Sequence, residues 1–237
     1  MAEKELRVTL LRHTAEPELT IAMAGHMCYA GVDVKELQEK MSSDKVEKLI
    51  KRLVGEGHFS VLEHANFTFG IDGLSRACTH QLVRHRLASY SQQSQRYVDE
   101  NDFGYVVPPK IKDGENKKAY EKFLEHMKKS NELYAELVKE GIPKEDARFV
   151  LPNAAETRII VTMNARSLMN FFERRLCTRA QWEIRVLAQE MLKEVQKVAP
   201  LLFRGTGPIC ERLGYCPEGK SCGRFPVKAE ALKGAGK

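Results

Sequence analysis

The chain has 237 residues, enough for one large domain, and 43% of them are hydrophobic, so a substantial buried core is expected. A total of 38 Lys and Arg against 32 Asp and Glu leaves a net charge of +6, too mild to require nucleic acid as a partner but comfortable for a phosphorylated ligand. No window approaches the ~18 uninterrupted apolar residues of a membrane span and the N-terminal MAEKELRVTLLRHT has no long apolar segment, which argues for a soluble, cytoplasmic protein with reduced thiols.

Leu6 to Leu11 alternates weakly and predicts a first strand, and Pro17 to Ala30 a helix of small and apolar residues. Asp44 with Glu47 resembles a capping box, after which Val46, Leu49, Ile50, Leu53 and Val54 share one helical face up to Gly55. His64 to Asp72 alternates around Phe67, Thr68 and Phe69 and predicts a strand, followed by helical character from Leu74 to Arg86. The polar ASYSQQSQ from Ala88 to Gln95 looks turn-like, and a loop around Pro108, Pro109 and Gly114 separates two halves of the sequence.

In the second half, Tyr120, Phe123, Leu124, Met127, Tyr134, Leu137 and Val138 keep three-and-four spacing, which predicts a long helix ending just before Gly141. A short helical turn from Pro143, a β-branched strand from Thr157 to Thr162, and helices over Ala165 to Arg175 and Gln181 to Val198 follow, with Pro200 as terminator. From Leu201 the chain turns Gly- and Cys-rich and ends in the small, basic tail KAEALKGAGK, expected to be disordered. The expected fold is an irregular α+β domain over residues 1–200, with a mixed or antiparallel sheet and several long helices, and a C-terminal extension over 201–237. No early G-x-G-x-x-G or regular βαβ beat supports a Rossmann domain.

The most informative stretch runs from Gly73 to Val98. It holds Arg76, Arg84, Arg86 and Arg96 with His80 and His85, many hydroxyl and amide side chains, and no Lys, Asp or Glu. A guanidinium offers a fixed fork of donors suited to a phosphate or an imide oxygen. Alone, Arg84-His85-Arg86 would read as a solvated basic face. Its neighbours Ser89, Ser91, Gln92, Gln93, Ser94 and Gln95 are neutral donors and acceptors, whereas a plain solvated face is richer in Lys and Glu.

Arg84-His85-Arg86, seven residues, then Ser94-Gln95-Arg96 resembles the signature of flavin-dependent thymidylate synthases. Two further segments are similar to that family in the same order: Gly57-His58-Phe59-Ser60-Val61-Leu62-Glu63-His64 upstream, and Asn164-Ala165-Arg166-Ser167-Leu168-Met169-Asn170-Phe171-Phe172 with Ala180-Gln181-Trp182-Glu183-Ile184 downstream. The resemblance implies a homotetramer, with active sites shared between subunits, that methylates uracil C5 of dUMP. Methylene-tetrahydrofolate would give the carbon, and FAD reduced by NADPH the hydride.

By that resemblance Arg175 falls on the residue that stabilises charge on the uracil ring, as an oxyanion hole does. The dUMP positions are Gln81, Leu82, Val83, Arg84, Gln92, Gln93, Ser94, Gln95, Arg96, Arg148 and Arg175. Those for FAD are Ser60, Arg84, His85, Arg86, Gln92, Asn164, Ala165, Arg166 and Asn170, with His58, Glu63 and Leu87 as further candidates. In isolation several have plainer readings: Arg175 as an exposed helix arginine, Arg148 as an electrostatic cap of the short helix before it, Asn164 as a helix cap. Gln92 stands where many members of the family carry Glu, and an amide can neither supply negative charge nor act as a base.

Each thiol has to be weighed as a nucleophile, because a conventional thymidylate synthase attacks with cysteine. Cys78 and Cys177 are read in helical, partly apolar settings that do not advertise a lowered pKa, and no covalent enzyme nucleophile is expected. Cys210, Cys216 and Cys222 follow a C-x5-C-x5-C spacing, with Cys177 as a conceivable fourth member. The absence of a tight C-x2-C pair favours reduced thiols or a redox-labile pair over a metal, and no metal is expected. Two rivals stay open: a nucleic-acid-binding module using Tyr90 and Tyr97 as stacking platforms, and a flavin reductase without methyl transfer.

Overall fold

The computed structural model describes residues 1–113 and 117–234. Gly114 of the expected loop and the last three tail residues lie outside that range. In chain order, β1 (Arg7–His13) leads to α1 (Pro17–Met27), α2 (Val34–Glu39) and α3 (Ser43–Gly55). A 3-10 turn (Phe59–His64) precedes β2 (Asn66–Ser75), α4 (Arg76–Leu82), β3 (Ala88–Gln92), α5 (Pro109–Lys112), α6 (Lys117–Lys139) and α7 (Lys144–Ala147). A second 3-10 turn (Arg148–Val150) is followed by β4 (Glu156–Asn164), α8 (Ala165–Arg175), α9 (Trp182–Val198), α10 (Ile209–Leu213) and α11 (Lys228–Gly234). The fold is α+β with one four-stranded sheet, ordered β1-β2-β4-β3. No helix of the described residues is long and apolar enough to cross a membrane.

The register of β2 on β4 is antiparallel: the Thr68 and Thr162 hydroxyls meet at 2.9 Å, and five residues further along β2 the Gly73 N–H donates to Glu156 Oε1 at 3.1 Å. Contacts divide the chain into two interleaved compact units. The first comprises Met1–Arg7, Gly70–Arg84 and Tyr90–Val161; the second Val8–Phe69, His85–Ser89 and the chain from Thr162 onward.

In the first unit, Phe103, Met127 and Ala155 form a buried cluster with Tyr105, Phe123, Leu151 and Ala154 packed against it. The long α6 supplies Met127, Ser130 and Tyr134 to the interior and stops where Gly141 takes φ +88°, a left-handed conformation that glycine adopts without steric cost. In the second unit, α3 buries Val46, Leu49, Ile50 and Leu53, the stripe read from the sequence, and packs on α1. Phe67, Phe172 and Phe203 meet edge to face at 5.6 and 5.9 Å, and burying each such ring contributes roughly 1.5–3 kcal/mol. The N–H groups of Leu201 and Leu202 donate to Glu18 Oε1 of α1 at 2.6 and 3.0 Å, fixing the chain as it leaves α9.

Several local expectations are corrected. α4 does not run from Leu74 to Arg86: Ser75 caps it by accepting from the Cys78 N–H at 3.0 Å, and the Arg84 N–H bonds Gln81 O at 3.2 Å in a tightening last turn. Part of the turn-like ASYSQQSQ is strand β3, and the Gln93 N–H just past it donates to Arg158 O at 2.9 Å. The N-cap of α3 is Ser42 rather than Asp44, which instead sits in the first turn where a negative charge favours the helix dipole. Cys177 lies just beyond α8 rather than within a helix, α2 adds a helix that the sequence reading does not contain, and the expected disordered tail forms α11 over Lys228–Gly234.

Candidate functional site

α8 begins where Asn164 Oδ1 accepts the Ser167 N–H at 2.8 Å, so the plain helix-cap reading of Asn164 holds locally. Ala165 is fully buried and its N–H donates to Ala65 O at 2.8 Å. Arg166 is exposed and pairs with Glu63 at 2.6 Å, which joins the downstream motif to the segment that also carries the exposed Ser60. One helical repeat on, Arg174 Nε donates to Asn170 Oδ1 at 3.2 Å. The Ser167 hydroxyl is buried with no partner among the described residues.

The last residue of α8, Arg175, donates from Nε to His85 Nε2 at 2.9 Å. The His85 ring stands edge-on to Phe171 at 4.9 Å. Burial, reinforced by the positive charges of Arg175 and Arg174, pushes the His85 pKa down to about 4. The imidazole is therefore neutral at pH 7, as acceptance of a guanidinium N–H requires. Arg86 and Leu87 follow His85 and are exposed, Leu87 by 75%.

The other arginines expected from the sequence to meet an anion lie in the first unit. Arg84 is exposed, with Nε donating to His80 O at 3.3 Å, while Leu82 is buried in α4 and Val83 caps its end. Arg96 Nε pairs with Glu145 Oε2 at 2.7 Å, and Arg148 Nε donates to the carbonyl of the same Glu145 at 3.0 Å, so one residue brings these two arginines together. That second bond also gives Arg148 the local helix-end role that the sequence leaves open to it. Ser94 Oγ accepts the Arg96 N–H at 3.2 Å; Gln95 is buried and its Nε2 has no partner among the described residues.

Arg76, one of the four arginines of the motif stretch, has a positioning role that the sequence does not suggest. Its Nη2 donates to Gln93 O at 2.8 Å, tying the start of α4 to the loop that carries Gln93 to Arg96. Burial lowers its pKa and raises that of Glu100, each opposed by the other's charge. Gln81 sits on the last turn of α4 and is half-buried. Gln92 Nε2 donates to Thr79 Oγ1 and Thr157 Oγ1 at 3.4 and 3.3 Å.

The nucleotide set expected from the sequence thus falls in the first unit except for Arg175. The flavin set falls in the second except for Arg84 and Gln92, and the chain passes from one unit to the other between Arg84 and His85.

A flavin-dependent thymidylate synthase of Geobacter sulfurreducens is 54% identical over 222 residues, covering 92% of this chain and 94% of that protein. One of Clostridium tetani is 50% identical, with the same coverage of 92% and 94%, and one of Pyrococcus furiosus is 49% identical over 90% of both chains. Among solved structures, a UMP/dUMP methylase, PolB from Streptomyces cacaoi bound with 5-Br dUMP, superposes with a TM-score of 0.75 at 24% identity, covering 85% of this chain and 94% of that one; this likeness is one of fold. The family described as "Thymidylate synthase complementing protein" matches residues 9–201, and the chain belongs to that family, the flavin-dependent thymidylate synthases.

Proposed function

We propose that the chain is a flavin-dependent thymidylate synthase that reductively methylates C5 of dUMP, with residues 1–200 as its catalytic domain. Methylene-tetrahydrofolate is the carbon donor, and FAD, reduced by NADPH, supplies the hydride. The observation that carries the reading is the Arg175–His85 hydrogen bond, because it joins two separate family motifs through side chains rather than through backbone packing. The residues suit an anionic planar cofactor: Arg84 and Arg86 are exposed guanidiniums with no carboxylate partner among the described residues, Leu87 is exposed beside Arg86, and the downstream motif holds the unpartnered Ser167 hydroxyl.

In this reading Arg84, Arg96 and Arg148, with Gln81, Ser94 and Gln95, hold the phosphate and sugar of dUMP. Each charge-assisted hydrogen bond contributes roughly 1.5–3 kcal/mol. Arg175 stabilises negative charge as it builds on the N3/O4 side of uracil, which makes C5 nucleophilic. Ser60, His85, Arg86, Asn164, Ala165, Arg166 and Asn170 hold FAD. The enzyme is a soluble cytoplasmic homotetramer whose active sites draw residues from more than one subunit. Cys78 is fully buried at 0% exposure, which disfavours an attacking thiolate there.

A nucleic-acid surface is disfavoured because four of the exposed arginines pair with carboxylates, which lowers the positive charge open to a phosphate backbone: Arg96 with Glu145, Arg166 with Glu63, Arg204 with Glu47 and Arg224 with Glu211. The test is the visible spectrum of protein incubated with FAD, desalted and titrated with dUMP, followed by an assay for dTMP. Retained flavin with bands that shift on dUMP addition, together with dTMP formation, supports the synthase. Flavin retention with NADPH oxidation independent of dUMP would leave only a reductase, and folded colourless protein would overturn both.

A further inference from the structure

Four of the six cysteines, Cys177, Cys210, Cys216 and Cys222, line one cavity of about 520 Å³ within the second unit. They come from two parts of the sequence, the turn after α8 and the Gly-rich extension. Among the described residues no three His, Cys, Asp or Glu side chains are grouped so as to hold a metal ion. The four thiols also differ in access: Cys210 and Cys216 are buried at 8% exposure, Cys177 is half-buried and Cys222 is exposed.

The segment from Cys177 to Ala180 is held along Glu218 to Cys222. Arg179 Nη1 donates to Lys220 O at 3.5 Å, Arg179 Nε lies 3.5 Å from Glu218 Oε2, and the Thr178 side chain hydrogen-bonds the Cys222 sulfur. Thr178 is the immediate neighbour of Cys177, so the residue bonded to the Cys222 sulfur adjoins a second thiol that lines the same cavity, and the charge of Cys177 also acts on Cys210. Arg179 and Arg224 also line the cavity, the first beside Glu218 and the second paired with Glu211 at 2.7 Å.

We propose that Cys222 and Cys177 form a peroxide-responsive dithiol, in which a hydroperoxide oxidises Cys222 and Cys177 resolves the product into a disulfide. In the first step the Cys222 sulfur attacks the hydroperoxide; an S–O bond forms, the O–O bond breaks, and an alcohol or water leaves. In the second the Cys177 sulfur attacks Cys222; the S–S bond forms, the S–O bond breaks, and the Cys177 proton departs with the oxygen as water. Two thiols and one hydroperoxide thus give one disulfide, one alcohol and one water, with sulfur oxidised and peroxide reduced.

The division of roles follows from the environment of each thiol. Hydrogen bonds from Thr178 and the Arg224 backbone, with the Arg224 charge, hold the Cys222 thiol below its ordinary range, whereas burial pushes Cys210 up. An accessible thiol that ionises readily next to a second cysteine is the arrangement that senses oxidants. Exposed Cys28 provides a control on the same chain; its Sγ donates to Ala24 O at 3.8 Å, and the cavity does not include it.

The test treats the full-length reduced protein, free of oxygen, with one equivalent of hydrogen peroxide, then alkylates it and maps its thiols by peptide mass spectrometry. Two of the six thiols should be lost to a Cys177–Cys222 disulfide that dithiothreitol reverses. In Cys177→Ser, dimedone should label Cys222 about tenfold faster than Cys28. In Cys222→Ser, with an unchanged melting temperature, no thiol should be lost at the same dose. A Cys210–Cys216 link in place of this one, equal labelling of Cys28 and Cys222, or stoichiometric zinc that blocks the thiols of the purified protein would each overturn the proposal. Since thiols are read directly, the result does not depend on methyl transfer.

Discussion

The Nε–H of Arg175 donates to Nε2 of His85 across 90 residues of sequence, and this bond places the lone pair of a neutral imidazole against a guanidinium. Two consequences follow. The Arg175 guanidinium plane is oriented by this bond from its Nε, and in the proposed reaction that plane addresses a uracil oxygen. His85 is in turn committed to one tautomer, with its proton on Nδ1.

Arg175→Ala should keep FAD and the fold but lose methyl transfer by about 100- to 1000-fold, the cost of removing one charge-stabilising donor group. Arg175→Lys should recover little, because an ammonium has no Nε fork with which to hold His85 and a ring oxygen together. Single-turnover dTMP formation in flavin-loaded protein is the measurement. Turnover within threefold of the parent, roughly 0.6 kcal/mol, would remove Arg175 from the mechanism.

His85 makes acid stability testable. Its folded pKa is about 4 against an ordinary 6.5, with burial as the first cause and Arg175 and Arg174 next. Between those values the unfolded chain binds more protons than the folded one, so stability rises with pH through that window. The contribution is fully present above about 6.5, is lost progressively as the pH falls towards 4, and is flat below. Melting temperatures of the apoprotein from pH 8 to pH 4 should therefore fall more steeply than those of His85→Gln, whose amide oxygen can still accept from Arg175. Parallel curves would assign the acid loss to other groups.

Where the sequence carries its own periodicity, structure is legible: α3 and α6 follow three-and-four apolar spacing, and Gly141 marks the end of the second with its positive φ. β3 is not legible, because Ala-Ser-Tyr-Ser-Gln has only Ala88 and Tyr90 as an alternating apolar pair within a run of turn-forming polar residues. Its strand conformation comes from pairing with β4, a partner some 70 residues away in sequence. The site divides in the same way. The motifs single out Arg175 and His85 separately, yet their direct contact is a tertiary fact that neither spacing could express. Arg76 escapes a sequence reading because its role runs through the Gln93 carbonyl, and a backbone acceptor leaves no side-chain signal. The cysteine cavity is half legible: the C-x5-C-x5-C spacing points to the extension, and only folding brings Cys177 to it.

Gly73→Ala should be among the most damaging substitutions in the first unit. Gly73 has φ +71°, and a Cβ there would lie 2.0 Å from Glu5 O and 2.5 Å from Glu5 C, both backbone atoms that no rotamer change can move. Gly141, at φ +88°, has nothing within 4 Å of the same added atom. Gly141→Ala should thus cost only conformational strain, about 1 kcal/mol, while Gly73→Ala should cost at least about 3 kcal/mol or yield insoluble protein. Urea midpoints of the two variants decide it, and equal midpoints would show that the chain ahead of β1 yields at Glu5.

The hydrogen bonds of Gln92 explain what the amide does here. Thr79 Oγ1 donates its only proton to Arg76 O at 2.9 Å, so towards position 92 it can act only as an acceptor. Gln92 Nε2 meets that need and also donates to Thr157 Oγ1. A carboxylate in Gln92→Glu would face the Thr79 lone pairs, although Thr157 can turn its own proton round. The expected loss at pH 7.5 is about 1 kcal/mol. Protonation gives the new carboxyl a donor, so the folded pKa should rise and the loss should shrink as the pH falls towards 5. Urea midpoints of parent and variant at both pH values test this. A deficit that is equal or larger at pH 5 would mean that the Thr79 hydroxyl reorients and that the amide is not required.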